Sequence, residues 1–359
     1  MIIDKIKINR LRGIKEVTVD SLNKINIFFG KNNCGKSTLL EGVFLLSGFS
    51  NPLLPININQ WRDYFKVSES DLDLIFYNLE TKQSIDIQGY RNGEQTRKLE
   101  IQKFVSHTKS VDVTQTVEPT NVAENDYYGY KLKFSTDTEK NYSSEILIQE
   151  KKTAETESEA KHDAKITKDK RYVENVPAKI LLSNTTYVNR ISNLRNMITN
   201  KQDGVIVEAL SKLDHRIARI DLVGNDVLVD IGFPTLVPIN LMGDGVRKLL
   251  AIIVSIYECA DGILIIDEIE NGLHHSVMPS LWEIVVDMAT KNNVQLFLST
   301  HNSDLLKGLS AVLSQEEYEQ YQPCISAHKL LHTEEGTMHA FTYDYQKFNY
   351  AMEQEIELR

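Results

Sequence analysis

The sequence predicts an α/β fold. A mostly parallel sheet gathers a phosphate site at its strand ends, and a β-rich insertion interrupts it. Three observations lead there. Residues 30–37 read G-x-x-x-x-G-K-S between an apolar strand-like run (Ile25, Ile27, Phe28, Phe29) and a run with helical spacing (Leu39, Leu40, Val43, Phe44). Four consecutive aliphatics, Ile263 to Ile266, close on Asp267 and Glu268, the pattern of a strand buried on both faces that ends at a site. Residues 72–148 instead alternate apolar and polar positions, as in Ile85/Ile87, Leu99/Ile101 and Leu132/Phe134, the period of half-buried strands.

The glycine-rich stretch carries the most specific chemistry. Gly30 and Gly35 let the backbone turn its N–H groups inward into an anion nest. A helix opening near Lys36 adds the positive end of its dipole. Lys36 should reach the β- and γ-phosphates of a nucleotide, and the Ser37 hydroxyl should hold Mg²⁺. Gly30, Lys31, Asn32, Asn33, Cys34, Gly35, Lys36, Ser37 and Thr38 are therefore the expected ATP-binding set.

Composition sets the bounds. A hydrophobic fraction of 42 % over 359 residues supports a sizeable core. No apolar run approaches a membrane span, and Met1 to Lys5 lacks a signal-peptide core, so a soluble cytoplasmic protein without a membrane partner is expected. The net charge of -10 disfavours a protein that coats nucleic acid, though not a local basic groove. Cys34, Cys259 and Cys324 are an odd set and read as reduced thiols.

In chain order, two or three strands fill residues 2–29, with a turn at Arg12-Gly13. The first helix ends near Gly48, and residues 50–62, with Pro52 and Pro55, read as a loop. Short strands are expected at 74–76, 85–87, 99–101, 111–113, 132–134 and 146–148, with a turn at Asn92-Gly93. Residues 150–170 hold one bulky aliphatic, Ile166; that is too little to offset ordering entropy, so a mobile loop or solvated helix is expected. Val176 to Tyr187 returns to an apolar pattern. An amphipathic helix is expected over 202–214 and a hairpin at Gly224-Asn225. A helix follows Gly243-Asp244-Gly245, with Val246, Leu249, Leu250 and Ile253 on one face. Beyond the Ile263–Ile266 strand come a helix over 275–289, a buried strand closing on His301, a short helix, two strands and a last helix. The division expected is 1–78 and 177–359 as two lobes of one head, with 79–176 as an inserted arm.

Asp267, at a strand end, is placed to hold Mg²⁺ opposite Ser37. Glu268, beside it, is placed to orient or deprotonate attacking water. His301, at the next strand end, is placed to contact the γ-phosphate. Glu268, His301 and Lys36 are the candidate catalytic residues. His274 and His275 lack partners at metal-ligand spacing.

The order of G-x-x-x-x-G-K-S, Gly-Asp-Gly before a helix, a strand closing on Asp-Glu and a strand closing on His resembles the ABC-type ATPase heads. Among them it is similar to the OLD-family (overcoming lysogenisation defect) ATPases and their SMC-like relatives. The resemblance covers residues 1–48 and 236–305 by motif. It implies a P-loop NTPase head of ABC type that hydrolyses ATP with Mg²⁺. Arg12, in the Asn9-to-Ile14 turn, would lie beside the nucleotide. Gly243, Asp244 and Gly245 sit where transporters carry their signature, with Met242 in place of its serine, and Gln60 is the candidate glutamine lever contacting Mg²⁺. Two copies would sandwich ATP as a homodimer or higher homo-oligomer. An OLD nuclease carries a TOPRIM domain after the ATPase; residues 302–359 hold no Glu plus Asp-x-Asp cluster, so a separately encoded nuclease or TOPRIM-like effector is expected, the setting being bacterial anti-phage defence. The alternative is an SMC-like DNA-repair or DNA-binding ATPase, against which the lack of a long heptad coiled coil counts. A transporter motor and a non-hydrolysing module fit less well.

Overall fold

In the computed structural model, residues 2–64, 67–109, 124–137, 140–151, 161–182 and 191–354 are described. The opening strands β1 (Lys5–Leu11), β2 (Ile14–Val19) and β3 (Ile25–Phe29) lead into helix α1 (Lys36–Ser47) and then α2 (Leu54–Gln60). A run of strands follows: β4 (Ile85–Arg91), β5 (Glu94–Lys109), β6 (Glu124–Thr136), β7 (Asn141–Lys151), β8 (Lys161–Thr167) and β9 (Ala178–Leu181). Then come α3 (Ile191–Thr199), α4 (Asp203–Ser211), β10 (Arg219–Val223), β11 (Asp226–Asp230), β12 (Val237–Pro238) and α5 (Asp244–Glu258). The chain continues through β13 (Ile263–Ile266), α6 (Met278–Lys291), β14 (Gln295–Thr300), α7 (Ser303–Leu313), β15 (Ile325–His332), β16 (Thr337–Tyr343) and α8 (Tyr345–Glu353).

Thirteen of the described strands form one sheet in the order β8-β7-β6-β5-β4-β1-β2-β16-β15-β3-β14-β13-β9. The segment β15-β3-β14-β13-β9 is parallel, and the wing from β2 to β8 is antiparallel. Strands β4–β8 thus extend the edge of β1 instead of forming a separate sheet. A smaller antiparallel sheet, β10-β11-β12, lies beside it.

The two-residue strand period divides the interior into two cores. On β13, Leu264 and Ile266 face α5, α6 and α7, while Ile263 and Ile265 face the α1 side with Phe28 and Phe297. Helix α1 lies over both the parallel segment and the wing. Its last turn is capped from the wing: Arg97 donates to the carbonyls of Leu46 and Ser47 at 3.2 and 2.9 Å and covers the Phe49 ring at 3.9 Å. A cation there satisfies orphan carbonyls and complements the helix dipole.

Several expectations are corrected. Residues 54–60 form a helix because Pro55 occupies the first turn, where its missing N–H costs nothing, and Leu54, Ile56 and Ile58 are buried. Leu74/Phe76 is not a strand. Asp71 takes the backbone N–H and hydroxyl of Ser68 and seeds a 3₁₀ turn over Ser70–Ile75, leaving Phe76 a single bridge to Leu11. The wing strands are long rather than short, β5 reaching 16 residues. Residues 161–167 are a charged edge strand on β7, not a helix or loop, ordered by backbone pairing along one side. The helix expected from 275 starts as a 3₁₀ turn, and α6 begins at Met278 with Pro279 in its first turn. The readings on 111–113, 152–160 and 183–187 lie outside the described residues.

Candidate functional site

Strands β3, β13 and β14 run parallel, so their C-terminal ends meet, and the expected site residues follow those ends. After β3 the loop turns through Gly30 (φ 149°), Asn33 (φ 65°) and Gly35 (φ 93°). A Cβ on Gly30 would stand 2.7 Å from the Leu330 carbonyl oxygen, so only glycine fits there. No side chain caps α1, which leaves its first N–H groups free for an anion. The buried Lys36 ammonium donates to the carbonyls of Gly30 and Lys31, each at 3.0 Å. A buried cation held only by neutral acceptors, beside an uncapped helix start, fits a polyphosphate.

Ser37 and Asp267 line one pocket of about 180 Å³ with Glu41, Trp61, Arg62, Asp63, Ile180 and Leu182. A hydroxyl and a carboxylate lining one small pocket suit Mg²⁺, a hard cation that takes oxygen ligands. Gln60 ends α2 one residue before this lining run and is not part of it.

Asp267 accepts a hydrogen bond from the Ser299 hydroxyl, and that hydroxyl accepts the Glu268 N–H at 2.8 Å. Glu268 itself sits at φ 51°, a left-handed conformation that a non-glycine residue adopts at a cost. Its carbonyl accepts from Lys248 Nζ at 2.9 Å, and its Oε2 accepts from Asn271 Nδ2 at 2.8 Å. The strained residue is therefore held from both peptide groups and from its side chain. His301 Nδ1 lies 3.9 Å from Glu268 Oε1 and 3.1 Å from Oε1 of the buried Glu270. Burial drives the Lys248 pKa down to about 8, against the pull of Glu270, Glu268 and Asp267.

Arg12 is not arranged as a nucleotide ligand. Its Nε donates to Glu41 on α1 at 2.7 Å, and its other nitrogens reach Asn59 Oδ1 at 2.9 Å and the carbonyls of Ile58 and Leu74 at 3.3 Å. Its donors tie α1, α2 and the 3₁₀ turn together. The arginine that lines the pocket is Arg62, 44 % exposed and bonded to the other Glu41 oxygen at 2.7 Å. Residues 243–245 open α5 at the surface: Gly243 caps it without a side-chain bond, Asp244 pairs with Arg247, and Leu241 is 76 % exposed. Leu273 and Gly272 approach Gly245 and Asp244, so the turn after Glu268 abuts the turn before α5.

The sequence reading missed Ser299, Glu270, Arg62 and Lys248's inward direction. Ser299 had a signal, a hydroxyl on an otherwise apolar strand end. Glu270 had one as well, a carboxylate two residues past Glu268. Arg62 had none, because α2 was not recognised.

Comparison with known proteins now bears on this geometry. Residues 25–307 match the family described as "AAA domain, putative AbiEii toxin, Type IV TA system". The chain belongs to that family. It is 27 % identical over 338 residues to an "ATP/GTP phosphatase" of Helicobacter pylori, covering 88 % of this chain and 90 % of that protein. A 70-residue stretch, 19 % of each chain, is 34 % identical to the DNA replication and repair protein RecF of Bacteroides thetaiotaomicron. Among solved structures, an SMC head bound to the C-terminal winged-helix domain of ScpA superposes with TM-score 0.51 at 12 % identity, over 97 % of this chain and 99 % of that one. The fold is that of an SMC-head-like P-loop NTPase, and this member of an AAA-domain family is an ATPase. Among the described residues, no helix is long and apolar enough to cross a membrane.

Proposed function

We propose that the chain is an ATP-driven switch whose two copies close head to head over Mg²⁺-ATP and part after hydrolysis. The observation that carries this reading is the exposure of Leu241, Gly243 and Asp244 at the uncapped start of α5. A second helix N-terminus, open to solvent, can receive the phosphates of a neighbour's nucleotide. Lys36 and the loop amides would bind the triphosphate. Ser37 and Asp267 would hold Mg²⁺, which when bound neutralises charge on the phosphates. Glu268 would orient or deprotonate water, and His301 would contact the γ-phosphate. Nucleotide touching both chains stabilises the pair by linkage, and loss of the γ-phosphate weakens it.

A separately encoded effector in anti-phage defence, on the OLD pattern, is the setting proposed. The toxin–antitoxin wording of the family description is compatible with it. DNA binding is the second reading, favoured by the short RecF match and the SMC-like fold. Glu268→Gln tests the first. ATP turnover should fall by about 10²–10⁴-fold, the range for losing a general base, with ATP binding retained and the paired form accumulating in light scattering. Normal turnover would overturn the base assignment. Stimulation of turnover by DNA that fades steeply with salt would favour the second reading.

A further inference from the structure

We propose that Glu270 is a positioning residue for His301. The inference rests on the reading of His301 as the γ-phosphate contact and deepens it. Glu270 Oε1 accepts the His301 backbone N–H at 2.9 Å and lies 3.1 Å from Nδ1 of the same residue. One carboxylate oxygen thus bonds the main chain of His301 and stands within ion-pair distance of its ring. The carboxylate is 5 % exposed, and its Oε2 has no hydrogen-bond partner among the described residues. Burying a carboxylate with one oxygen unsatisfied is costly, so a side chain kept there for packing alone would be better apolar. The His301 ring, by contrast, is 43 % exposed.

The consequence is a choice of tautomer. A carboxylate only accepts, so the nitrogen facing it, Nδ1, carries the proton. Nε2 is then left as the nitrogen that can meet a phosphate oxygen, and it donates when the ring is charged. Glu268 Oε1, at 3.9 Å from Nδ1, is the more distant of the two carboxylates. Glu270 opens the turn that abuts Asp244 and Gly245, since the Leu273 N–H bonds the Glu270 carbonyl at 3.0 Å. The setting of His301 is therefore joined to the turn that would face a second copy.

The test compares Glu270→Gln, His301→Ala and the double variant by steady-state ATP turnover. Glu270→Gln should lower kcat about tenfold, as loss of a group that orients a catalytic ligand does, with KM within about twofold. It should add no further loss in the His301→Ala background. Unchanged kcat, or losses that multiply, would overturn the proposal. If Glu270→Gln does not fold, the wild-type protein decides. With nitrogen-labelled histidine, and His301→Ala to assign the signal, the neutral ring should carry its proton on Nδ1; a proton on Nε2 would overturn it. If Glu268→Gln keeps normal turnover, the functional reading itself falls. If Glu268→Gln is inactive and Glu270→Gln behaves as wild type, only the role of Glu270 falls.

Discussion

The loop at residues 30–37 and the turn at residues 241–245 are the two proposed contacts for one nucleotide, and they are built in opposite ways. The loop is braced from inside: Gly30 lies against Leu330, Lys36 is bonded to its own loop, and α1 behind it is capped by Arg97. The turn at 241–245 is presented outward, with Leu241 and Asp244 exposed and a helix N-terminus open. A loop preorganised in this way can bind phosphates within one chain. An exposed turn gains a function only when something is brought to it. On the proposed head-to-head reading, each chain would carry one preorganised half-site and one half-site completed by a second copy.

The sharpest way to break that comparison is complementation. Lys36→Ala should abolish ATP binding on its own chain. Gly243→Trp, at an exposed position whose added Cβ would meet nothing within 4 Å, should leave ATP binding intact yet block the approach of a second copy. Each variant alone should lose at least about 100-fold in turnover, within the range for removing phosphate-stabilising groups. Mixed together, they should regain activity, because one composite site in the mixed pair joins an intact loop to an intact turn. No recovery on mixing, with both variants folded, would place both halves in the service of a single chain.

Next in size is Arg12→Ala. Arg12 and Glu41 are 14 % and 7 % exposed and bonded at 2.7 Å. Removing one member of a buried pair costs about 3 kcal/mol or more, because it strands the other charge; Arg62 retains the second Glu41 oxygen and keeps the loss near that lower figure. Denaturant unfolding should show this destabilisation. The KM for ATP should stay within about twofold, since Arg12 braces the elements behind the loop instead of touching nucleotide. A large rise in KM with unchanged stability would restore Arg12 to the binding site.

These contrasts mark what was legible in the chain. The strand–loop–helix at residues 25–47 and the strand closing on Asp267-Glu268 were readable because local spacing alone fixes them. The bonds of Arg12 were not, because its partners Glu41, Asn59 and Leu74 come from distant segments. Gln60 looked plausible by distance along the chain, yet a helix at 54–60, unrecognised because Pro55 reads as a breaker, delivers Trp61 to Asp63 to the pocket instead. The wing strands were visible as alternation, but their length was not, since charged outer faces look like turns in a single sequence. The edge strand at 161–167 has too little apolar content to announce itself and exists through backbone pairing with β7.

The smallest effect sharpens the comparison where the presented half reaches back to Glu268. Lys248 reaches from the exposed α5 start inward to the Glu268 carbonyl. Its pKa is lowered from 10.5 to about 8, chiefly by burial, while the neighbouring carboxylates oppose the shift. The folded chain therefore releases this proton earlier than the unfolded one. Below pH 8 both states hold the proton, and the full cost of a buried ammonium is present. Between about 8 and 10.5 the unfolded state binds more protons, so stability rises with pH through that window. With a discount for partial exposure, the rise attributable to Lys248 is about 2 kcal/mol. Denaturant midpoints at about pH 7.5 and about pH 9.5 should show it as the difference between wild type and Lys248→Met, in which titrations common to both proteins cancel. Matching pH dependences in the two proteins would mean that the ammonium is solvated, and that Lys248 does not link the α5 turn to Glu268.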